Sequence, residues 1–158
     1  VAMVEVPDVP TTETDLPPAR MISVFFLEMG GCAGCAMEVA ALNGAAWADR
    51  RGGVCFVHTP RHADILLVAG AVTRPMVPVL EQAWQAMPGP RALMAIGDCA
   101  IDGGVFGENY AVLGGLRGRV RLDLSLPGCP PSPTIILSAM ARWLLETGFP
   151  CSSVGSQV

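Results

Sequence analysis

From Met21 onward, short runs of apolar residues alternate with longer stretches in which apolar positions recur every three or four residues. The runs cover residues 22–27, 54–58, 65–69, 92–96 and roughly 120–126, and most are apolar throughout rather than alternating. That pattern predicts parallel strands covered on both faces. The spacing predicts a helix over 34–48, with Val39, Leu42 and Ala46 on one face, ending before Gly52-Gly53. A second helix starts near Pro75, carries Met76, Val79, Leu80, Ala83, Trp84 and Met87, and is stopped by Pro88-Gly89-Pro90. The last has Ser132 as N-cap, Pro133 at its first position, a stripe of Ile136, Ala139, Met140, Trp143 and Leu144, and Gly148 as its end. Residues 101–118 are rich in glycine and predict a long loop with at most a short helix over 109–113. There is no internal repeat. The alternation predicts an α/β fold, a flavodoxin-like doubly wound parallel sheet, in a single domain over 21–148. In such a sheet the ligand site lies outside the carboxyl ends of the strands. Residues 1–20, proline-rich and aperiodic, are expected to form an extended or disordered arm against a neighbour. Residues 149–158 form a tail.

Composition adds a partner to this picture. A chain of 158 residues buries about 70% of its unfolded surface around one core, so it needs no disulfide to fold. Hydrophobic residues make up 51% and charged residues 15%, against about 25% charged in an average globular protein. That is too little charge to cover a free surface, and it predicts a large apolar interface with another subunit. A net charge of -4 and a pI near 5.0 offer no basic stripe for a phosphate backbone, which argues against nucleic acid. Glu28, Glu38, Glu81 and Arg142 interrupt the most apolar segments short of the ~20 residues a bilayer crossing requires. No transmembrane segment of its own is therefore expected. Residues 1–20 contain neither an apolar leader core nor a twin arginine, so a cytoplasmic location is the expectation.

The candidate chemistry lies in the cysteines. Gly30-Gly31-Cys32-Ala33-Gly34-Cys35 links the first strand to the first helix. Cys99 follows the fourth strand in Gly97-Asp98-Cys99-Ala100, and Cys129 follows the fifth in Pro127-Gly128-Cys129-Pro130-Pro131. In a parallel sheet these turns share one edge, so four thiols far apart in sequence can converge. Four convergent thiolates suit a 4Fe-4S cluster or a structural zinc ion. The surrounding glycines let the backbone approach sulfide, and two helix N-termini offer partial positive charge to a dianionic cube. Zinc in four thiolates more often sits on paired CxxC knuckles, and here there is one CxxC, which favours the cluster. Cys32 and Cys35 alone also allow a redox disulfide. Cys55, inside the second strand, and Cys151, in the tail, are expected to be a core residue and a free surface thiol.

Cys32-Ala33-Gly34-Cys35 with Glu38, Gly97-Asp98-Cys99-Ala100 followed by Gly103-Gly104-Val105-Phe106, and Pro127-Gly128-Cys129-Pro130-Pro131 together resemble the small, electron-transferring subunit of nickel-iron hydrogenases. The similarity is greatest to the short form in membrane-bound group 4 enzymes, of the energy-converting or formate-hydrogenlyase type. That family is homologous to the 20 kDa cluster-bearing subunit of respiratory complex I. The similarity spans residues 21–147. Complex I subunits have adjacent cysteines at the first site, whereas this chain has the CxxC of hydrogenases. The longer small subunits of uptake hydrogenases carry a twin-arginine leader and a further cluster domain, and neither pattern is found here. Ala36 stands where the group 4 pattern usually has Asp.

The resemblance implies one 4Fe-4S cluster held by Cys32, Cys35, Cys99 and Cys129. It would be the proximal cluster, beside a nickel-iron site in a large partner subunit. The chain would then be an oxidoreductase subunit without catalytic residues of its own. A ferredoxin-like electron-transfer subunit and membrane subunits would complete a complex on the cytoplasmic face of the membrane. Two other functions fit the residues: a cluster-bearing subunit of a complex I-like quinone oxidoreductase, and a CxxC thiol-disulfide oxidoreductase.

Three charged residues stand near the cysteines. Glu38, one turn beyond Cys35, either faces the subunit junction or is a first-turn carboxylate meeting the helix dipole. Asp98 adjoins a ligand and has a similar double reading. Arg74, after the third strand, either balances cluster charge or contacts the large subunit, or is a solvated loop residue. His58 and His62 are expected to be ordinary strand-end and loop residues. No GxGxxG or Walker loop is present, so flavin is not expected despite the fold.

Overall fold

The computed structural model describes residues 21–47 and 53–150. Its strands are β1 (Ile22–Glu28), β2 (Val54–Val57), β3 (Ile65–Ala69), β4 (Ala92–Ile96) and β5 (Leu124–Leu126). They form one sheet in the order β2-β1-β3-β4-β5, with every neighbouring pair parallel. This is the flavodoxin-like order, in which the direction of winding switches between β1 and β3. The helices are α1 (Gly34–Leu42), α2 (Val77–Ala86), α3 (Asp98–Asp102) and α4 (Pro133–Thr147).

β3 and β4 are buried along their whole length, and alternate residues feed two cores, as the two-residue period of a strand requires. Ile65, Leu67, Met94 and Ile96 pack with Val39 and Leu42 of α1 and with Ile136, Met140 and Leu144 of α4. Leu66, Val68, Leu93 and Ala95 pack with Leu80 and Ala83 of α2 and with Ala100 and Ile101 of α3. At the strand-start edge, the buried Asp64 accepts the Ser23 N–H at 3.0 Å, and Asp123 accepts the Leu93 N–H at 2.8 Å. Phe149 stacks on Trp143 with ring centroids 5.2 Å apart.

Several elements differ from the sequence expectation. The first helix stops at Leu42, where Asn43 and Gly44 turn back onto Ala40 and Ala41, and a separate 3-10 turn covers Ala45–Trp47. The second begins as a 3-10 turn, Arg74–Met76, before α2. β5 is only Leu124–Leu126, because the chain before it turns at Leu116 to Val120. Residues 109–113 are not helical. Asn109 Oδ1 accepts the Ala111 and Val112 N–H groups at 2.9 and 3.0 Å, and the segment bridges Glu108 to Leu113 and Thr73 to Val112. Ser132 occupies the N-cap position of α4, but its hydroxyl makes no capping bond; Gly148 ends that helix with φ 59.

Candidate metal centre

The carboxyl ends of β1 and β3 and the turn after β4 meet in a small, partly open concavity. Cys32, Cys35 and Cys99 line it with Gly31, Gly34 and Gly70. The turn carrying Cys32 and Cys35 is pinned from below: the Met29 N–H donates to the Ala69 carbonyl at 2.8 Å, and Thr73 Oγ1 donates to the Met29 carbonyl at 3.1 Å. Its backbone then runs so close to the end of β3 that a Cβ on Gly70 would lie 2.2 Å from the Gly30 carbonyl oxygen. Between the two thiols Ala33 takes a left-handed conformation, φ 61. A non-glycine residue there costs of order 1–3 kcal/mol and persists where the surroundings enforce it. The turn leads directly into α1, on which Cys35 is the second residue.

Cys99 lies on the first turn of α3, 9% exposed, and Cys129 is exposed on the loop after β5. Gly97, with φ 84 and ψ 153, makes the bend from β4 into α3. A Cβ on Gly97 would stand 2.5 Å from Cys35 Sγ, so the bend and the thiol occupy neighbouring space. Cys129 is not among the residues lining the concavity but stands beside it. The ring of Pro130 lies 3.7 Å from where a Gly34 side chain would begin, and the Cys129–Pro130 bond is cis.

Cys35 and Cys99 are held toward the protonated form. Burial, followed by the charges of Cys99, Cys32 and Cys129 and of Asp98, pushes Cys35 up from 9.0 to about 11. Cys99 is pushed up by burial, then by Cys129, Cys32 and Asp98, against a lowering backbone hydrogen bond. Burial and like charge thus disfavour the thiolate forms of Cys35 and Cys99, and a positive group beside them would relieve that cost. Among the described residues, no group of three or more His, Cys, Asp or Glu side chains is arranged to hold a metal ion.

Of the remaining sequence-predicted residues, Asp98 is tied into the site: its N–H donates to the Gly128 carbonyl at 3.0 Å, and its Oδ1 accepts the Gly128 N–H at 2.8 Å. Arg74 is exposed and turned away toward the 109–113 segment, its Nε donating to the Tyr110 carbonyl at 2.7 Å. Glu38 is half-buried on α1, one turn inside the helix rather than in its first turn, so the helix-dipole role does not apply. Cys55 is half-buried on β2, opposite Ser23, outside the group; Cys151 lies outside the described residues. Glu28, not singled out from the sequence, lines the concavity from the end of β1. Its place at a carboxyl strand end was the available signal. Two large apolar side chains near the cysteines in sequence are exposed, Met37 at 71% and Val105 at 86%.

A parallel α/β domain with four thiols gathered at the carboxyl edge of its sheet defines the class. The model of the family described as "NADH ubiquinone oxidoreductase, 20 Kd subunit" matches residues 32–143, and the chain belongs to that family. It is similar to formate hydrogenlyase subunit 7 of Escherichia coli strain K12, 43% identical over 129 residues, 80% of this chain and 51% of that protein. It is also similar to an NADH-quinone oxidoreductase subunit of Saccharopolyspora erythraea, 45% identical over 113 residues, 71% of this chain and 51% of that protein. The chain spans about half the length of these two curated relatives. Among solved structures, a chain of a membrane-bound sulfane sulfur reductase, an archaeal respiratory membrane complex, shares the fold. Its TM-score is 0.67 at 24% identity, with 82% of this chain and 73% of that chain covered.

Proposed function

We propose that Cys32, Cys35, Cys99 and Cys129 hold one 4Fe-4S cluster, and that the chain is the electron-transfer subunit of a membrane-associated nickel-iron hydrogenase complex. The observation that carries the proposal is the meeting of the cysteine-bearing turns at one sheet edge: Gly97 against Cys35 Sγ, Pro130 against Gly34, and Asp98 bonded to Gly128. A single ion draws every thiolate to about 2.3 Å from one centre. A cube takes one thiolate per iron, and the four cysteines here supply that number. Bound there, the cluster supplies one-electron redox chemistry. The chain's own part is to fix the four sulfurs and to bring glycine backbone close to them. The exposed Met37 and Val105 suit docking of a large subunit that contains the active site. A ferredoxin-like subunit and membrane subunits complete the proposed assembly, which holds the chain peripherally at the cytoplasmic face. No helix among the described residues is long and apolar enough to cross a membrane.

The CxxC spacing and the similarity to a formate hydrogenlyase subunit favour hydrogenase. The similarity to an NADH-quinone oxidoreductase subunit supports a second reading, a complex I-like quinone-reducing module. A thiol-disulfide oxidoreductase would use Cys32 and Cys35 alone and has no need of Cys99 and Cys129, whose turns are tied together beside them. Anaerobic purification with the partner tests all three. Four irons per chain with a broad brown absorbance that Cys129→Ser bleaches are expected, together with nickel in the partner and hydrogen evolution. Iron-free, colourless protein refutes the cluster; a nickel-free partner that reduces quinone refutes the hydrogenase assignment.

A further inference from the structure

Among the described residues, three aspartates make the same clamp. Asp64 donates its N–H to the Ser23 carbonyl at 2.8 Å while its carboxylate accepts the Ser23 N–H. Asp123 donates to the Leu93 carbonyl at 2.9 Å while its carboxylate accepts the Leu93 N–H. Each clamp joins a strand to its neighbour at the strand-start edge. The third, between Asp98 and Gly128, lies at the opposite edge and spans thirty residues of sequence. One side of it is the residue before Cys99; the other is the residue before Cys129.

We propose that Asp98 is a positioning residue that locks the Cys129 loop to the Cys99 helix and thereby sets the separation of two of the four cluster thiols. The inference rests on the cluster assignment above. Cys129 is the thiol most in need of such a lock, because it is exposed on a loop, whereas Cys32 and Cys35 share one turn pinned to β3. The geometry is that of a bidentate tie. Gly97 N–H donates to the Leu126 carbonyl at 2.8 Å, Asp98 N–H to the Gly128 carbonyl, and the Asp98 carboxylate closes the loop by accepting the Gly128 N–H. The backbone bonds alone leave the Gly128 amide free to swing; the side chain removes that freedom. The carboxylate also places a negative charge next in sequence to Cys99, which a carboxamide would not. Acceptor geometry and charge are therefore separable by substitution.

The test compares Asp98→Ala, Asp98→Asn and Asp123→Ala in the full chain, purified anaerobically with its partners. The readouts are the rate of iron loss to an added chelator, the midpoint potential by redox-titrated EPR, and amide exchange across residues 127–131 by mass spectrometry. Asp98→Ala is expected to lose iron at least about tenfold faster, the factor carried by one hydrogen bond to a charged acceptor. Exchange across 127–131 should rise with it. Asp98→Asn, which keeps an acceptor but no charge, is expected to lose iron more slowly than Asp98→Ala, with a more positive potential. Asp123→Ala, a clamp of the same form away from the thiols, is expected to lower thermal stability without faster iron loss in native buffer. Parental iron retention in Asp98→Ala, or loss in Asp98→Asn as fast as in Asp98→Ala, overturns the proposal. Where Asp98→Ala does not fold, Asp98→Asn decides: iron held and residues 127–131 protected support the lock, and iron lost refutes it. If the parent itself carries no iron, the cluster assignment fails, while the lock stands or falls on the exchange of 127–131 alone.

Discussion

Replacing Gly97 by alanine tests how closely the end of β4 and the Cys35 thiol are fitted. Gly97 has φ 84 and ψ 153, a region open in practice only to glycine, and a side chain held there costs about 1–3 kcal/mol. The new Cβ would also stand 2.5 Å from Cys35 Sγ and 3.4 Å from the Gly128 carbonyl oxygen, an overpacking of about 1–3 kcal/mol where the neighbours cannot move. The bend itself cannot retreat easily, since the Gly97 N–H is bonded to the Leu126 carbonyl. The thiol can rotate away, but then it leaves the group of four. Gly97→Ala is therefore expected to lose about 2–6 kcal/mol while iron is retained, or to relax toward the backbone cost alone as iron is lost. Gly118→Ala is the control. Its φ is 77, yet nothing lies within 4 Å of the added Cβ, so only the left-handed backbone cost of about 1–2 kcal/mol applies. Denaturant unfolding and iron content, measured on both variants, read the difference. Equal destabilisation with equal iron in the two would refute the placement of Cys35 against Gly97.

Other outcomes follow from the same structure. In iron-depleted protein the raised Cys35 thiol makes stability depend on pH: the unfolded chain loses this proton near 9.0 and the folded chain near 11. The contribution is full below pH 9.0 and drains away as the pH rises toward 11, visible as a falling melting temperature across that window; with iron bound, the Cys35 part of the slope should vanish. Asp64→Ala leaves the buried Ser23 N–H without its 3.0 Å acceptor and should cost about 1–3 kcal/mol in denaturant unfolding, with iron content unchanged. Cys55→Ser, on β2 and outside the thiol group, should keep the parental iron content and visible absorbance.

Strand cores were legible because a strand buried on both faces needs an unbroken apolar run. β3 and β4 match such runs at both ends. Helix α3 was missed because five residues are too few to show a 3.6-residue period. The first helix was drawn too long because its apolar spacing continues past Asn43, while the backbone turns there. Residues 109–113 took their shape from the Asn109 side chain and from Thr73 and Arg74 across the edge, and only the first of these is a local signal. For the site, the placement of the four cysteines after strand ends could be inferred from periodicity. The orientation of Arg74, set by its bond to the Tyr110 carbonyl, could not.

By itself, then, the sequence determined the α/β alternation, the strand order's class and the four cysteines that end on one edge, because hydrophobic period and glycine turns are local properties. What only the tertiary structure decided is how those turns meet: Gly70 against Gly30, Gly97 against Cys35, and Asp98 holding Gly128. Each joins segments distant in sequence through atoms packed too closely for any other arrangement, and such contacts exist only once the sheet has brought its strand ends together.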